Sequence, residues 1–420
     1  MKTFRLYLLA ALGLLLLSTN AMAQNAVSPY SMYGYGILND NATSMQRQMG
    51  GVGVAMSSGR QINVMNPASY ATMDSLTFLF DMGADLSLLW SKEGSAQEHS
   101  TGGGLDYLTM KFPICKYMGG SIGMLPFTSV GYAFGNEVRH GTTQNQGSGG
   151  INQAYLGVAG TYGGFSLGAN ISYNFGNIVN DLYAYPSTEG ESLFEHVMQV
   201  RDWNLLLGAQ YTARLSKTSE LSLGLTYAPK KSLHGKSYAT IQELVAESKA
   251  DTVGMTKLSG KYFTPNMIAA GVAYRYSRAC RLNVEADFSF QQWSKTPYQP
   301  LYNAEGGVLF DGMDFNDRLR YAVGAEYTPR VRGNYGQRIT YRLGAYYTRD
   351  YLKILDNSVR EYGVSCGVGL PTPEGRTIIN IGLEWKHRSA YPQTLLSENY
   401  LNITLGINFN EMWFWKRKIN

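Results

Sequence analysis

Apolar and polar residues alternate along most of this chain. In Leu401, Ile403, Leu405, Ile407 and Phe409 every second residue is apolar, with Asn402, Thr404, Gly406 and Asn408 between them. Period two is the signature of a strand with one greasy and one polar face. The pattern recurs from about Leu76 to Phe409, and a coarse count gives fourteen strand-like stretches, the first near 75–90 and the last near 399–409. Phe165, Leu167, Ala169, Ile171, Tyr173 and Phe175 share one face of the fifth stretch, opposite Ser166, Gly168, Asn170, Ser172 and Asn174. A closed antiparallel barrel with its greasy face in lipid satisfies every backbone group without hiding these faces against one another. A soluble β-sandwich or propeller is the rival.

Connection lengths give a second line of argument. Those after even-numbered stretches are short, such as Gly163-Gly164 and Ser277-Arg-Ala-Cys, whereas those after odd-numbered ones include long polar segments at 134–150, 180–197, 232–257 and 295–316. Alternating short and long connections are expected of an outer-membrane barrel with both chain ends on the periplasmic side. In 232–257, Ile241, Leu244 and Val245 fall at helical spacing, which suggests a short amphipathic helix outside the membrane.

The ends of the chain differ from the middle. Lys2 and Arg5, the apolar run Leu6–Leu17 and Ala21-Met22-Ala23 read as an export signal, so 1–23 is expected to be removed. Residues 24–74 are rich in Gly, Ser, Asn and Met without alternation, and are expected to form a hatch inside a barrel made by 75–410. Residues 411–420 form a basic tail, with Trp413-Phe414-Trp415 before Lys416-Arg417-Lys418, placed at the periplasmic interface.

Composition fits this architecture. Apolar residues are 44% with a mean hydropathy of −0.20, and no other helix-length apolar run follows the leader, which excludes a helical membrane bundle. The 31 Tyr and 47 Gly suit aromatic girdles and a crowded lumen. Cys115, Cys280 and Cys366 form neither a disulfide framework nor a zinc site. The net charge of +5 is mild and the basic residues are scattered, so nucleic acid is not an expected partner.

Charges inside the strands mark the inner face, because a mid-depth charge facing lipid costs roughly 2–4 kcal/mol. Glu285, Asp287, Arg320, Glu326, Arg342, Glu384 and Lys386 are therefore expected in the lumen. They either pair across neighbouring strands, Glu326 with Arg342 for instance, or line a substrate path. Three GxSxG matches, at Ser121, Ser166 and Ser365, lie on strands, where alternating small residues produce them without catalysis. Gly50-Gly51-Val52-Gly53 has no preceding strand and is no phosphate loop. The five histidines are expected in loops, without metal-ligand spacing. The chain reads as a non-enzyme with no cofactor.

Arg47-Gln-Met-Gly-Gly-Val-Gly-Val-Ala55, followed by Asn66-Pro67-Ala68-Ser-Tyr, resembles the hatch of the long-chain fatty-acid transporter (FadL-like) family of outer-membrane proteins. That resemblance implies a fourteen-stranded barrel, a hatch whose Asn66, Pro67 and Ala68 act as a gate, and a third strand that opens the wall sideways. Pro126 and Phe127 stand in the third stretch here, and a proline in mid-strand leaves a neighbouring carbonyl without its ladder donor. Loop 134–150 is Gly-, Gln- and Asn-rich, unlike the apolar external loops of members that take up fatty acid. The expected function is passive uptake of a hydrophobic or amphiphilic small molecule through lumen and wall by a monomer in outer-membrane lipid. Burying a chain of about ten methylenes would contribute roughly 8 kcal/mol to such binding. The alternative is a barrel that serves as partner subunit of an outer-membrane secretion or assembly complex.

Overall fold

The computed structural model describes residues 28–73, 77–138, 141–186, 191–246, 249–303, 306–373 and 376–412. The leader, Asp74–Leu76 and the tail from Trp413 lie outside them.

Fourteen antiparallel strands close into a barrel. They are β1 (Thr77–Glu93), β2 (Ala96–Cys115), β3 (Met118–Val138), β4 (Gly141–Tyr162), β5 (Phe165–Pro186), β6 (Glu191–Arg214) and β7 (Ser219–Ala228). The second half comprises β8 (Met267–Ser277), β9 (Arg281–Gln291), β10 (Arg318–Thr328), β11 (Thr340–Ile354), β12 (Asn357–Pro371), β13 (Ile378–Tyr391) and β14 (Ser397–Met412). Sequence neighbours pair throughout, and β1 closes the ring on β14 from Thr77 opposite Met412 to Lys92 opposite Ser397. The last strand thus runs past Phe409 to Met412.

Alternation sorts the two faces as lipid requires. In β5, Phe165 is 61% and Leu167 67% exposed, while Asn170 and Asn174 are 2% and 1%. Polar side chains inside and bare leucines outside invert the burial of a soluble sheet protein.

The long outer connections differ from the expectation. Residues 134–150 and 180–197 are mostly strand: β3 and β4 stay paired out to Val138 and Gly141, and β6 starts at Glu191. These extensions stand in water, where neither face needs to be greasy, so alternation disappears while the ladder continues. Segment 232–257 is no helix. It forms a hairpin, Gly235–Ala246 with Lys249–Leu258, whose first strand adds to the upper part of β6 from Val200 to Glu191. Ladder bonds to β6 satisfy that backbone, and they override the helical spacing of three apolar residues. By contrast β7 to β10 are short, so one side of the barrel rises well above the other.

Candidate functional site

The hatch, residues 28–73, fills the lumen in two stretches of different character. The deeper one begins with the helical turn Ser44–Arg47, where Thr43 and Gln46 form a reciprocal cap. Gly50 and Gly51 follow at φ +72° and +73°, a left-handed turn that only glycine adopts readily. A side chain at Gly50 would also strike the backbone of Ala345 and Val323. The turn aims the next three amides at the wall. Asp287 accepts Gly53 N–H at 2.7 Å and Val54 N–H at 2.9 Å, and Glu285 accepts Ala55 N–H at 2.8 Å. Arg320 donates to the Gly50 carbonyl at 2.9 Å, and Ser365 Oγ accepts Gly50 N–H at 2.9 Å. Arg342 pairs with Glu326 at 2.8 Å while also donating to Gln48 and Asn380. The inward charges therefore grip the hatch as well as one another.

Asn66, Pro67 and Ala68 lie deep in this stretch. Asn66 is fully buried, donates to the Val54 carbonyl at 2.7 Å and accepts Ala68 N–H at 3.0 Å. Gly168 and Gly208 leave room in the wall for Pro67 and Asn66, and any Cβ there would collide with them. Lys111 of β2, fully buried, donates to the carbonyls of Ser58, Ser69 and Thr72 at 3.0, 3.0 and 2.7 Å. Sequence reading missed it, although an inward lysine is the signal that such an anchor exists.

The shallower stretch, residues 28–42, is held differently. Tyr35 sits among the rings of Tyr262, Trp293, Tyr298 and Phe315, at centroid distances of 6.3, 5.7, 5.7 and 6.1 Å. Tyr351 OH receives Tyr35 N–H and donates to the Gly36 carbonyl at 2.6 Å. This aromatic cap closes the lumen on the outer side. Beyond it, Ile37 and Leu38 form a two-residue strand against Ser129 and Thr128 of β3.

That short ladder is possible because the wall is split there. β2 and β3 pair only from Cys115 opposite Met118 to Leu108 opposite Met124. Further out, 96–107 of β2 pair with β1 alone, while 125–138 of β3 pair with β4 and take the hatch on their free side. Pro126 and Phe127 mark the point of departure. Pro126 faces Asn152, Thr128 faces Ile151, and Phe127 is left as a bulge whose carbonyl accepts Asn39 N–H at 3.0 Å. On the β2 side the unpaired edge begins beyond Leu108 and takes in Gly102-Gly103-Gly104, with Gly103 at φ +153°. That triplet was a legible sign, since successive glycines weaken a strand.

Two cavities flank the hatch where it crosses this seam. One, of about 140 Å³, is lined by Asn39, Asn41, Phe127, Gln153, Tyr155 and Trp293 among others. The other, of about 130 Å³, is bounded by Leu38, Arg47, Asp85, Glu384, Lys386 and Arg388. Both touch Asn39 and Asp40, so that stretch of hatch divides them. Asp40 meets Arg318 at 3.0 Å and Arg320 at 3.2 Å. Burial alone would raise its pKa, but the two guanidiniums hold it below the usual carboxylate range. Glu384 accepts from Tyr346 at 2.7 Å and Asn402 at 2.9 Å, and Lys386 lies over the Tyr400 ring at 4.5 Å.

Three histidines stand on strands rather than loops: His99 on β2, His196 on β6 and His387 on β13. The strands run further than their alternation, which is why loops were expected there. His196 Nε2 meets Ser237 Oγ at 2.9 Å, but its ring stacks on Phe310 at 4.3 Å and no carboxylate is hydrogen-bonded to it among the described residues. A nucleophile–base–acid arrangement is therefore not assembled at His196 among the described residues. Ser121, one of the GxSxG serines, is buried and bonded to Tyr155 OH at 2.8 Å.

A family model described as BamG matches residues 6–420. The chain belongs to the BamG family. A comparison with curated protein sequences gives no match. Among solved structures, this BamG-family chain is similar to a Pseudomonas aeruginosa FadL homologue, with a TM-score of 0.63 and 12% identity over 89% of this chain and 99% of that one. It is also similar to the P. putida toluene transporter TodX, with a TM-score of 0.61 and 14% identity over 90% and 100% of the two chains. The Ralstonia pickettii toluene transporter TbuX gives 0.58 and 13% over 88% and 98%. The BamG-family barrel therefore has the FadL-type fold of hydrophobic-compound transporters of the outer membrane.

Proposed function

We propose that this barrel passes a small amphiphile from its lumen into the outer membrane through the seam between β2 and β3. The observation that carries this reading is the split wall with the hatch lying across it. Ile37–Asn41 is both the partition between the cavities and the strand that occupies the free edge of β3. Lifting it would join the cavities to the seam. The gate is thus assigned to Ile37–Asn41 rather than Asn66–Ala68, which is wedged between glycines at the other end of the hatch. A cavity of about 150 Å³ accommodates a benzene-sized ring, and the larger of the two cavities divided by this stretch is about 140 Å³. Its mixture of Phe127 and Trp293 with Asn39, Asn41 and Gln153 suits one ring or short alkyl body with a polar group, better than a long acyl chain.

A locking experiment tests this reading. Leu38→Cys with Thr128→Cys, on a background lacking Cys115, Cys280 and Cys366, places two thiols at facing strand positions, within disulfide reach. Uptake of radiolabelled benzyl alcohol by cells carrying the oxidised variant is expected to fall to the level of cells without the protein, and to recover on reduction. Uptake unaffected by the lock would contradict the proposal.

The second reading is a partner subunit of an outer-membrane complex. It is favoured by the aromatic cap around Tyr35, which closes the outer mouth, and by the small, separate cavities. Purification in gentle detergent separates the two: a stoichiometric protein partner supports the subunit, whereas a bound small amphiphile supports transport.

A further inference from the structure

The two ends of the barrel differ in charge in a way that uptake does not require. The six short turns at one end carry Lys116, Lys217, Arg278, Arg330, Arg332 and Arg376, with Arg338 in the helical turn Tyr335–Arg338 and Glu374 as the sole acidic residue in their sequence. Segments at the opposite end carry both signs in comparable number, Lys236, Lys257 and Lys295 beside Glu243, Asp311 and Asp317. Basic residues are therefore not scattered. They gather around one mouth.

That mouth is also a cavity of about 440 Å³, floored by hatch residues Ser58–Gln61 and walled by Arg275, Arg281 and Arg342. Its carboxylates are already engaged, Glu326 by Arg342 at 2.8 Å and Glu220 by Arg275 and Arg214 at 3.7 Å each. Asn283, 5% exposed and also lining this cavity, has a side-chain carbonyl with no hydrogen-bond partner among the described residues. Arg60 of the hatch is exposed and lines this cavity.

We propose that this short-turn face docks an acidic segment of a periplasmic protein, which reaches into the mouth and ends against Arg60. Charge complementarity selects the occupant. Lys217 and Arg376 of the turns line the mouth together with Arg60, Arg275, Arg281 and Arg342, so the barrel wall keeps headgroups from its centre, while an extended peptide can enter. An amide or ammonium donor on the same segment would satisfy Asn283. The proposal is independent of uptake through the seam, and it would give the subunit reading its contact surface.

Binding is read by fluorescence anisotropy with the full-length protein in micelles and a fluorescein-labelled dodecapeptide of alternating Glu and Ala. Lys217→Glu, Arg330→Glu, Arg332→Glu and Arg376→Glu together lie in exposed turns, and heat-dependent gel mobility confirms that the barrel still folds. The account expects an affinity that weakens steeply with salt and falls at least about tenfold in this variant. The outer-end control, Lys236→Glu with Lys257→Glu, should bind as the parent does. Equal binding by the reversed variant, equal binding of the Gln-for-Glu peptide, or full displacement by vesicles of anionic phospholipid would each overturn the proposal.

Discussion

The two stretches of the hatch occupy one lumen yet are fastened by different physics. From Thr43 to Met73 the hatch interlocks with the wall. Glycines at 168, 208, 224, 324 and 344 admit it, and Asp287, Glu285, Lys111 and Arg320 hold its amides and carbonyls. From Ser28 to Ala42 it rests on ring contacts, a two-residue ladder, the Asp40 ion pairs and side-chain hydrogen bonds such as Ser28 Oγ to Glu398, beside the split between β2 and β3. Interlocked backbone cannot move without rebuilding the wall, whereas stacked rings and a short ladder can separate and re-form. On the proposed reading, a plug built this way is a fixed stopper with one releasable end.

The largest effect should come from filling the interlock. Gly168→Val with Gly208→Val puts side chains where Pro67 and Asn66 already lie, and overpacking costs about 1–3 kcal/mol at each site. Thermal unfolding followed by gel mobility should shift down markedly, while the same pair at Gly254 and Gly336, where a Cβ meets nothing and the backbone is not left-handed, should not. Asp287→Ala comes next. It strands the amides of Gly53 and Val54 in the interior, at about 1–3 kcal/mol for a buried unsatisfied donor. Denaturant titration checks it, and Asp287→Asn should recover part of the loss because a carbonyl oxygen remains.

Tyr35→Ala addresses the releasable end. It should leave the melting transition of the barrel nearly unchanged but raise the labelling rate of a cysteine placed at Leu38 by about tenfold, since each ring contact beyond burial is worth roughly 0.5–1.5 kcal/mol. The smallest effect is set by pH. Because Asp40 has a lowered pKa, its ion pairs stabilise the folded hatch at neutral pH, and that contribution fades as pH falls through the lowered value. Labelling at Leu38 should therefore quicken modestly in acid, and Asp40→Asn should remove the dependence.

The barrel was readable because lipid outside and polar lumen inside impose strict alternation on each wall strand, as in Phe165–Phe175. Where β3 to β6 leave the membrane, water bathes both faces, and Thr142, Gln144 and Gln146 carry no period to read. The hairpin at 235–258 failed for a related reason, since its ladder partner lies in β6 and local spacing misled. At the site, inward charges such as Asp287 and Arg342 could be named from alternation. Their grip on Gly53 or Gln48 could not, because those contacts join residues more than two hundred apart in sequence. Pro126 stands just beyond the last β2–β3 pair, and Gly102–Gly104 lie on the unpaired edge of β2 without having been read.

The asymmetry of the hatch is tested most directly by hydrogen exchange of the full-length protein in lipid nanodiscs. Amides of Ile37–Asn41 are predicted to exchange at least about a hundredfold faster than those of Gly53–Ala55, with benzyl alcohol changing only the faster set. Equal protection across both segments would contradict the account, because the hatch would then move, or stay, as one body.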